Sequence, residues 1–181
     1  MAALFNQVQL AETGADFSCT SLGNEPVGLS EAVTMRGITA AYLFSNTLTV
    51  LEVTEKVLRD CLERCASYLE LRGGKPCISD AFLKPKIEHY NYDFYAGLSY
   101  TFDLRRPVGS RLVRLAPLGG RTYRLRVSNY RATGTGGYPA LRDCPVLWQG
   151  NGEVQELIKK YIQKHSPVPV KRNGEMKVVW K

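Results

Sequence analysis

The pattern of hydrophobic and polar residues predicts helices mixed with strands along the chain. From Thr54 to Glu70, apolar residues recur at spacings of three and four, which is typical of a helix with one buried face. Thr54 is a suitable N-cap for this helix, and the run Arg72–Pro76 predicts its end. Two further helices are predicted, over Met35–Leu43 after the N-cap Thr34 and over Glu153–Lys164.

Five other runs predict strands, because they alternate apolar with polar residues or are rich in β-branched residues. They are Thr47–Thr54, Leu98–Leu104, Arg111–Leu118, Thr122–Ser128 and Met176–Trp180. Turns are predicted at Pro107–Gly109 and at Gly119–Gly120. Since helices and strands do not alternate strictly, the pattern predicts a layered α+β fold in one domain over residues 1–181.

Residues 129–138, NYRATGTGGY, follow the strand Thr122–Ser128 with three glycines between two aromatic residues. Glycine is used where the backbone needs positive φ or where another group approaches it closely. A plain hairpin loop is one interpretation of this segment. The other is a loop that holds Tyr130 as a flat platform for a ligand, and composition alone leaves both open.

The formal net charge of +7 is distributed unevenly. The stretch from Leu104 to Arg142 has no acidic residue and no lysine but contains nine arginines. Arginine suits bidentate contacts with phosphate or carboxylate, so the stretch is either a solvated sheet face or an anion-attracting surface. One interpretation is a non-catalytic, arginine-rich RNA-binding module. However, the arginines alternate with apolar residues on predicted strands, which divides them between two faces.

Residues that could form a catalytic centre are scarce. The two histidines, His89 and His165, lie far apart, and no HExxH, P-loop, GxSxG or Cys/His motif is present. Asp93 and Asp103 are interpreted as turn or cap residues, and the helical spacing of Cys61 and Cys65 indicates packed thiols rather than a disulfide framework. No apolar run approaches the ~20 residues of a membrane span, and no signal peptide is evident. We therefore expect no catalytic residue, metal ligand or cofactor in this chain.

Several motifs in order carry a resemblance to a known family. They are NQVQLAETGADFSCTSL, VTMRGITAAYLFSNTLTVLEVT, LRDCLERCASY, HYNYDFYAGLSYTFDLRRPVGSRL, SNYRATGTGGYP, YIQKHSP and MKVVW. The run from Asn6 to Lys181 resembles the C-terminal domain of the 5'-nucleotidase superfamily. It is most similar to the branch of bifunctional 2',3'-cyclic-nucleotide 2'-phosphodiesterase/3'-nucleotidases.

The resemblance implies a four-layer α/β/β/α domain that binds the nucleoside of a nucleotide substrate. In this family a separate N-terminal metallophosphoesterase domain carries two divalent metal ions, so we expect this chain alone to be inactive. The parent protein would hydrolyse 2',3'-cyclic nucleotides and 3'-nucleotides to nucleoside and phosphate. Residues 1–10 would then be the end of an interdomain helix, and the parent would be exported to the periplasm, cell wall or extracellular space.

The resemblance also assigns the residues of the nucleoside site. The base would lie between two aromatic rings, Phe44 and Tyr130. Asn46 and Asn129 match polar positions beside these aromatics. The glycines of the loop, Gly134, Gly136 and Gly137, would keep the wall beside Tyr130 low.

Three departures from the family pattern bear on the activity. The GGGIR-type motif of the 5'-nucleotidase branch, whose arginine helps to hold phosphate, is replaced by SLGNEPVGLSEAV. This favours the cyclic-phosphodiesterase branch, with a 5'-nucleotidase or nucleotide-sugar hydrolase as the alternative. Gly136 replaces an acidic residue that often contacts the base, and Glu55 replaces a glycine after the strand Thr47–Thr54.

Overall fold

A computed structural model describes residues 1–119 and 121–181, which contain five helices and ten strands. The helices are α1 (Ala2–Thr13), α2 (Met35–Ala41), α3 (Glu55–Ala66), α4 (Asn129–Ala132) and α5 (Val154–His165). The strands are β1 (Phe17–Ser21), β2 (Leu48–Val53), β3 (Leu69–Arg72), β4 (Lys75–Ile78), β5 (Asp93–Ala96), β6 (Ser99–Asp103), β7 (Leu112–Ala116), β8 (Tyr123–Ser128), β9 (Val146–Gln149) and β10 (Met176–Val179). The predicted mixture of helices and strands is confirmed. Of the predicted turn at Gly119–Gly120, Gly120 lies outside the described residues.

The strands form three sheets. The largest has the order β5-β1-β8-β2-β9, in which β1 and β8 are parallel and the other neighbours are antiparallel. A second sheet has the order β10-β6-β7, and β3 pairs with β4 in a separate hairpin. Because β8 and β9 lie on either side of β2, the segment 129–138 between them is not a hairpin loop.

Two hydrophobic cores lie on opposite faces of the five-stranded sheet. Tyr123, Leu125 and Val127 alternate along β8 and pack into the first core, together with α3 and the sheet β10-β6-β7. The second core contains Leu48 of β2 and buried residues of α1, α2 and α5. This packing is consistent with the expected four-layer arrangement.

The two predicted N-caps are present. The Thr34 hydroxyl accepts a hydrogen bond from the Gly37 amide at 3.1 Å, and the Thr54 hydroxyl accepts one from the Val57 amide at 3.3 Å. Cys61 and Cys65 are buried free thiols of the first core, in agreement with the helical spacing.

The predicted end of α3 was wrong. The helix ends at Ala66, and the residues up to Glu70 enter the hairpin of β3 and β4. Gly73 and Gly74, interpreted as a helix stop, form the turn of this hairpin with φ of 59° and 73°. A two-residue turn of this kind requires positive φ, which glycine adopts without steric cost.

Three strands of the large sheet were not predicted from the pattern. They are β1, β5 and β9. In β1, Ser18 and Thr20 are as buried as the neighbouring Phe17 and Cys19, so both faces of the strand are buried and the sequence does not show the alternation typical of a half-buried strand. The Ser18 hydroxyl lies 2.7 Å from Oδ1 of Asn6 and 2.8 Å from Oε1 of Gln9 in α1, so its single proton always has an acceptor and the buried hydroxyl is satisfied.

Candidate functional site

Phe44 and Tyr130 belong to segments that meet at one end of the five-stranded sheet. Phe44 precedes β2 and Tyr130 follows β8, and these antiparallel strands pair Leu48 with Ser128 at that end. The two segments are also joined by reciprocal hydrogen bonds. The Thr47 amide donates to the Asn129 side-chain oxygen at 3.1 Å, and the Asn129 amide donates to the Thr47 carbonyl at 3.0 Å.

Phe44 is half-buried within a group of aromatic rings. Its ring centroid lies 6.0 Å from that of Tyr42 and 6.3 Å from that of Tyr90, and both contacts are edge-to-face. Asn46 is also half-buried, and its carbonyl accepts from the Val154 amide at 3.0 Å. Burial raises the pKa of Tyr42, and the Asn46 side chain opposes this rise by hydrogen bonding.

Tyr130 is 38% exposed and sits in the short helix α4. Ser128 caps this helix, since its hydroxyl accepts from the Arg131 amide at 3.1 Å. The Tyr130 carbonyl accepts from the Thr133 hydroxyl at 2.8 Å. The backbone of Tyr130 is therefore fixed while its ring faces solvent.

The three glycines that follow are packed against arginine side chains. Gly134, Gly136 and Gly137 have φ of 80°, 81° and 91°, which disfavour any other residue. A Cβ atom on Gly136 would lie 2.1 Å from Nη1 of Arg131, and one on Gly137 would lie 2.4 Å from Nε of Arg64. The glycines thus let the loop close onto two guanidinium groups. Their effect on the wall beside Tyr130 stays a prediction.

Asp93 was wrongly interpreted as a turn or cap residue. It forms an ion pair with Arg131, and each side chain is 2% exposed. Burial raises the pKa of Asp93, and the Arg131 guanidinium opposes this rise. Burial acts to lower the pKa of Arg131, but the Asp93 carboxylate, together with Tyr138 and Cys19, raises the pKa above its usual value. The sequence placed these two residues 38 positions apart, and nothing in the pattern indicated that they meet.

Two other polar residues considered in the sequence, His89 and Asp103, have structural partners. Nδ1 of His89 lies 2.8 Å from the Tyr68 hydroxyl. Asp103 follows the turn interpretation, because its carboxylate accepts from the backbone amide of Arg105 and from its guanidinium. These contacts with Arg105 lower the pKa of Asp103 to about 2. Residues 1–119 and 121–181 contain no group of three or more His, Cys, Asp or Glu side chains that could hold a metal ion.

A large cavity lies elsewhere in the domain. Its volume is about 940 Å³, and it is lined by the start of α1, by β5 and by residues 171–176. None of the site residues assigned by the resemblance lines this cavity. In the part of the chain that the structure describes, no helix is both long enough and apolar enough to span a bilayer.

Comparisons with known proteins identify relatives of the chain. The family model described as 5'-nucleotidase, C-terminal domain, matches residues 1–143. The trifunctional nucleotide phosphoesterase YfkN of Bacillus subtilis is 24% identical over 158 residues, which are 76% of this chain and 10% of that protein. A 2',3'-cyclic-nucleotide 2'-phosphodiesterase/3'-nucleotidase of Haemophilus influenzae is 25% identical over 178 residues, covering 85% of this chain and 27% of that protein.

A solved structure from Staphylococcus aureus, described as a 5'-nucleotidase in complex with alpha-ketoglutarate, superposes with a TM-score of 0.94. It is 33% identical and covers 98% of this chain and 36% of that one. The chain thus spans about a third or less of the length of these relatives.

Proposed function

The chain belongs to the family of 5'-nucleotidase C-terminal domains, and we propose that it binds the nucleoside part of a nucleotide substrate. The parent protein is a two-domain metallophosphoesterase that hydrolyses 2',3'-cyclic nucleotides and then 3'-nucleotides, releasing nucleoside and phosphate. In this proposal the base stacks between Phe44 and Tyr130, and we call the space between these two rings the base slot. Asn46, Asn129 and the glycines Gly134, Gly136 and Gly137 border it.

One observation carries this proposal: the segments that hold Phe44 and Tyr130 are joined by strand pairing and by the Asn129–Thr47 hydrogen bonds. Stacking a base on an aromatic ring contributes roughly 1–3 kcal/mol and tolerates every base. Tyr130 is exposed at this end of the sheet on a fixed backbone, which suits a stacking surface. Binding there would orient the nucleoside so that its phosphate reaches a catalytic centre, and such positioning is a large contribution to catalysis.

The described residues of this chain do not fit a metal site, because they contain no cluster of metal-ligating side chains. We place the two divalent metal ions in a separate N-terminal domain, with α1 as the end of the helix that joins the domains. Export of the parent protein is part of the same proposal. The alternative parent is a 5'-nucleotidase or a nucleotide-sugar hydrolase.

The test is an adenosine titration of the chain by calorimetry, with variants of both rings. Tyr130→Ala and Phe44→Ala should each weaken binding by roughly 1–3 kcal/mol, because each removes one stacking surface. Tyr130→Phe should bind almost as the unchanged chain, since the ring face and not the hydroxyl stacks on the base. The double alanine variant should lose less than the sum, because the two losses are coupled through one ligand.

Trp180→Ala is the matched control, since Trp180 is also an aromatic residue with 38% exposure. If the unchanged chain binds no adenosine, or if Trp180→Ala weakens binding as much as Tyr130→Ala, the proposal is wrong. Competition between adenosine and 3'-AMP, 2',3'-cyclic AMP or 5'-AMP at equal concentration separates the two branches. Preference for 5'-AMP would favour the alternative parent.

A further inference from the structure

The ion pair of Asp93 and Arg131 is directly connected to Tyr130, because Arg131 follows Tyr130 in α4. Nε of Arg131 is 2.8 Å from Oδ2 of Asp93, and Nη2 donates to Oδ1 at 2.9 Å. Both side chains are buried, at the first residue of β5 and within α4. A buried ion pair often contributes no more to stability than apolar residues of the same size would. Stability alone therefore does not account for this pair, and the guanidinium also makes contacts beyond Asp93.

The remaining donors of Arg131 bind two backbone carbonyls. Nη1 donates to the carbonyl of Thr135 at 2.7 Å, and Nη2 donates to the carbonyl of Tyr90 at 3.2 Å. The first bond fixes the glycine loop, residues 133–138, and the second fixes the segment that carries the Tyr90 ring. One guanidinium therefore joins two separate parts of the chain.

Aromatic contacts extend this arrangement to the proposed base slot. The Arg131 guanidinium carbon lies 4.2 Å from the ring centroid of Tyr138 and 5.6 Å from that of Tyr130. The Tyr90 ring contacts the Phe44 ring edge-to-face at 6.3 Å. Arg131 thus contacts Tyr130 directly through its ring. It is connected to Phe44 through Tyr90, whose carbonyl it binds and whose ring contacts the Phe44 ring.

The glycine loop packs closely against the Arg131 guanidinium. The space where Gly136 would carry a Cβ is occupied by Nη1 of Arg131 and by Oδ1 of Asn91. On the other side, Nε and Nη2 of Arg64 both donate to the Gly136 carbonyl at 3.3 Å. The loop is therefore closed tightly against Arg131, and its shape depends on that side chain.

We infer that Arg131, with Asp93 as its counter-ion, is a positioning residue that sets Tyr130 and Tyr90 in place for nucleoside binding. This inference rests on the proposed function for the identity of the ligand. Arg131 itself acts through the aromatic residues and the loop. Lysine would not replace it, because a single ammonium lacks the planar fork that binds a carboxylate and two carbonyls at once.

The experiment replaces the ion pair by apolar residues of similar size, in the double variant Asp93→Leu/Arg131→Met. No unpaired charge is left buried, so the urea midpoint should fall no further than in a variant that only leaves backbone carbonyls without a donor, such as Arg111→Met. The dissociation constant for adenosine should rise about tenfold or more, and amide exchange of residues 133–138 should become faster. The single variant Arg131→Lys, which keeps the charge but not the fork of donors, should also bind adenosine more weakly than the unchanged chain.

Arg111→Met is the control. Arg111 is also buried and binds the backbone carbonyls of Ala66, Leu69 and Arg106, none of which lies in the glycine loop. This variant should lower the urea midpoint and leave adenosine binding and loop exchange unchanged. An unchanged exchange rate and affinity in the double variant would overturn the inference. If the unchanged chain binds no adenosine but the double variant exchanges faster, the proposed function fails and the positioning role stands.

Discussion

Arg126 is a charged residue buried in the protein interior. It is fully buried on the face of β8 opposite to Leu125, toward the helices α1, α2 and α5. Within the described residues, none of its three guanidinium nitrogens has a hydrogen-bond partner. Burial lowers the pKa of Arg126 to about 9, with an opposing effect from Tyr42. An uncompensated buried charge is costly, so this residue should destabilise the fold.

We predict that Arg126→Met raises the free energy of unfolding by about 1–3 kcal/mol at pH 7, because methionine fills similar space without the charge. The folded-state pKa lies below that of the unfolded chain, so the penalty is fully present below about pH 9 and is relieved as pH rises through this value. The gain from the substitution should therefore shrink above pH 9. Urea denaturation at pH 7 and pH 10 measures both effects.

Arg111→Met should instead lower the free energy of unfolding. The Arg111 guanidinium binds three backbone carbonyls, which this variant would leave unpaired. A loss of stability in Arg126→Met comparable to that in Arg111→Met would mean that Arg126 has an acceptor, such as buried water.

At the scale of the element, the glycine loop depends on close packing and not only on backbone conformation. Gly136→Ala should lower the free energy of unfolding by about 3 kcal/mol or more, since its Cβ would overlap Arg131 and Asn91 in addition to the strain of positive φ. Gly109→Ala is the matched control, with φ of 88° and open space around its Cβ. It should cost about 1 kcal/mol, the strain alone. Equal urea midpoints for the two variants would contradict this account.

The sequence predicted elements where periodicity reflects one packed face. The pattern matched the structure in β8 and in α3 as far as Ala66, because in each of these runs the apolar residues lie on one face that packs into the first core. The strand β1 was missed because Ser18 and Thr20 face polar side chains of α1, which only the fold brings together. The hairpin β3–β4 was missed because the helical spacing of α3 continues by coincidence through Tyr68 and Leu69.

In the candidate site, too, some residues were predicted from the sequence and others were not. Phe44 and Tyr130 were assigned from motifs, and their placement at one sheet end follows from the pairing of β2 with β8. Tyr90 and the pair of Asp93 with Arg131 were not foreseen. Their contacts depend on bringing β5 next to the segment after β8, and a local pattern carries no record of such long-range packing.

At the scale of the whole molecule, the nine arginines between Leu104 and Arg142 do not form one basic surface. Arg111, Arg126 and Arg131 are buried. Among the exposed members, Arg105 pairs with Asp103, and Arg121 lies 3.6 Å from Asp16. The expectation that alternation divides these residues between faces agrees with this distribution. Much of the local positive charge is therefore buried or neutralised within the domain.

We predict for this reason that the chain binds single-stranded RNA only weakly near physiological salt. Tight RNA binding needs many exposed cations along one groove, and its affinity falls steeply with salt as counterions are released. A gel-shift titration with RNAs of about 10 and about 20 nucleotides should give similar, weak binding at both lengths. The variant Arg114→Gln/Arg142→Gln, which removes two exposed arginines, should change it little. Sub-micromolar affinity that increases with RNA length and is lost in this variant would instead make the chain an RNA-binding module, since a slot for a single nucleoside has no means of sensing length.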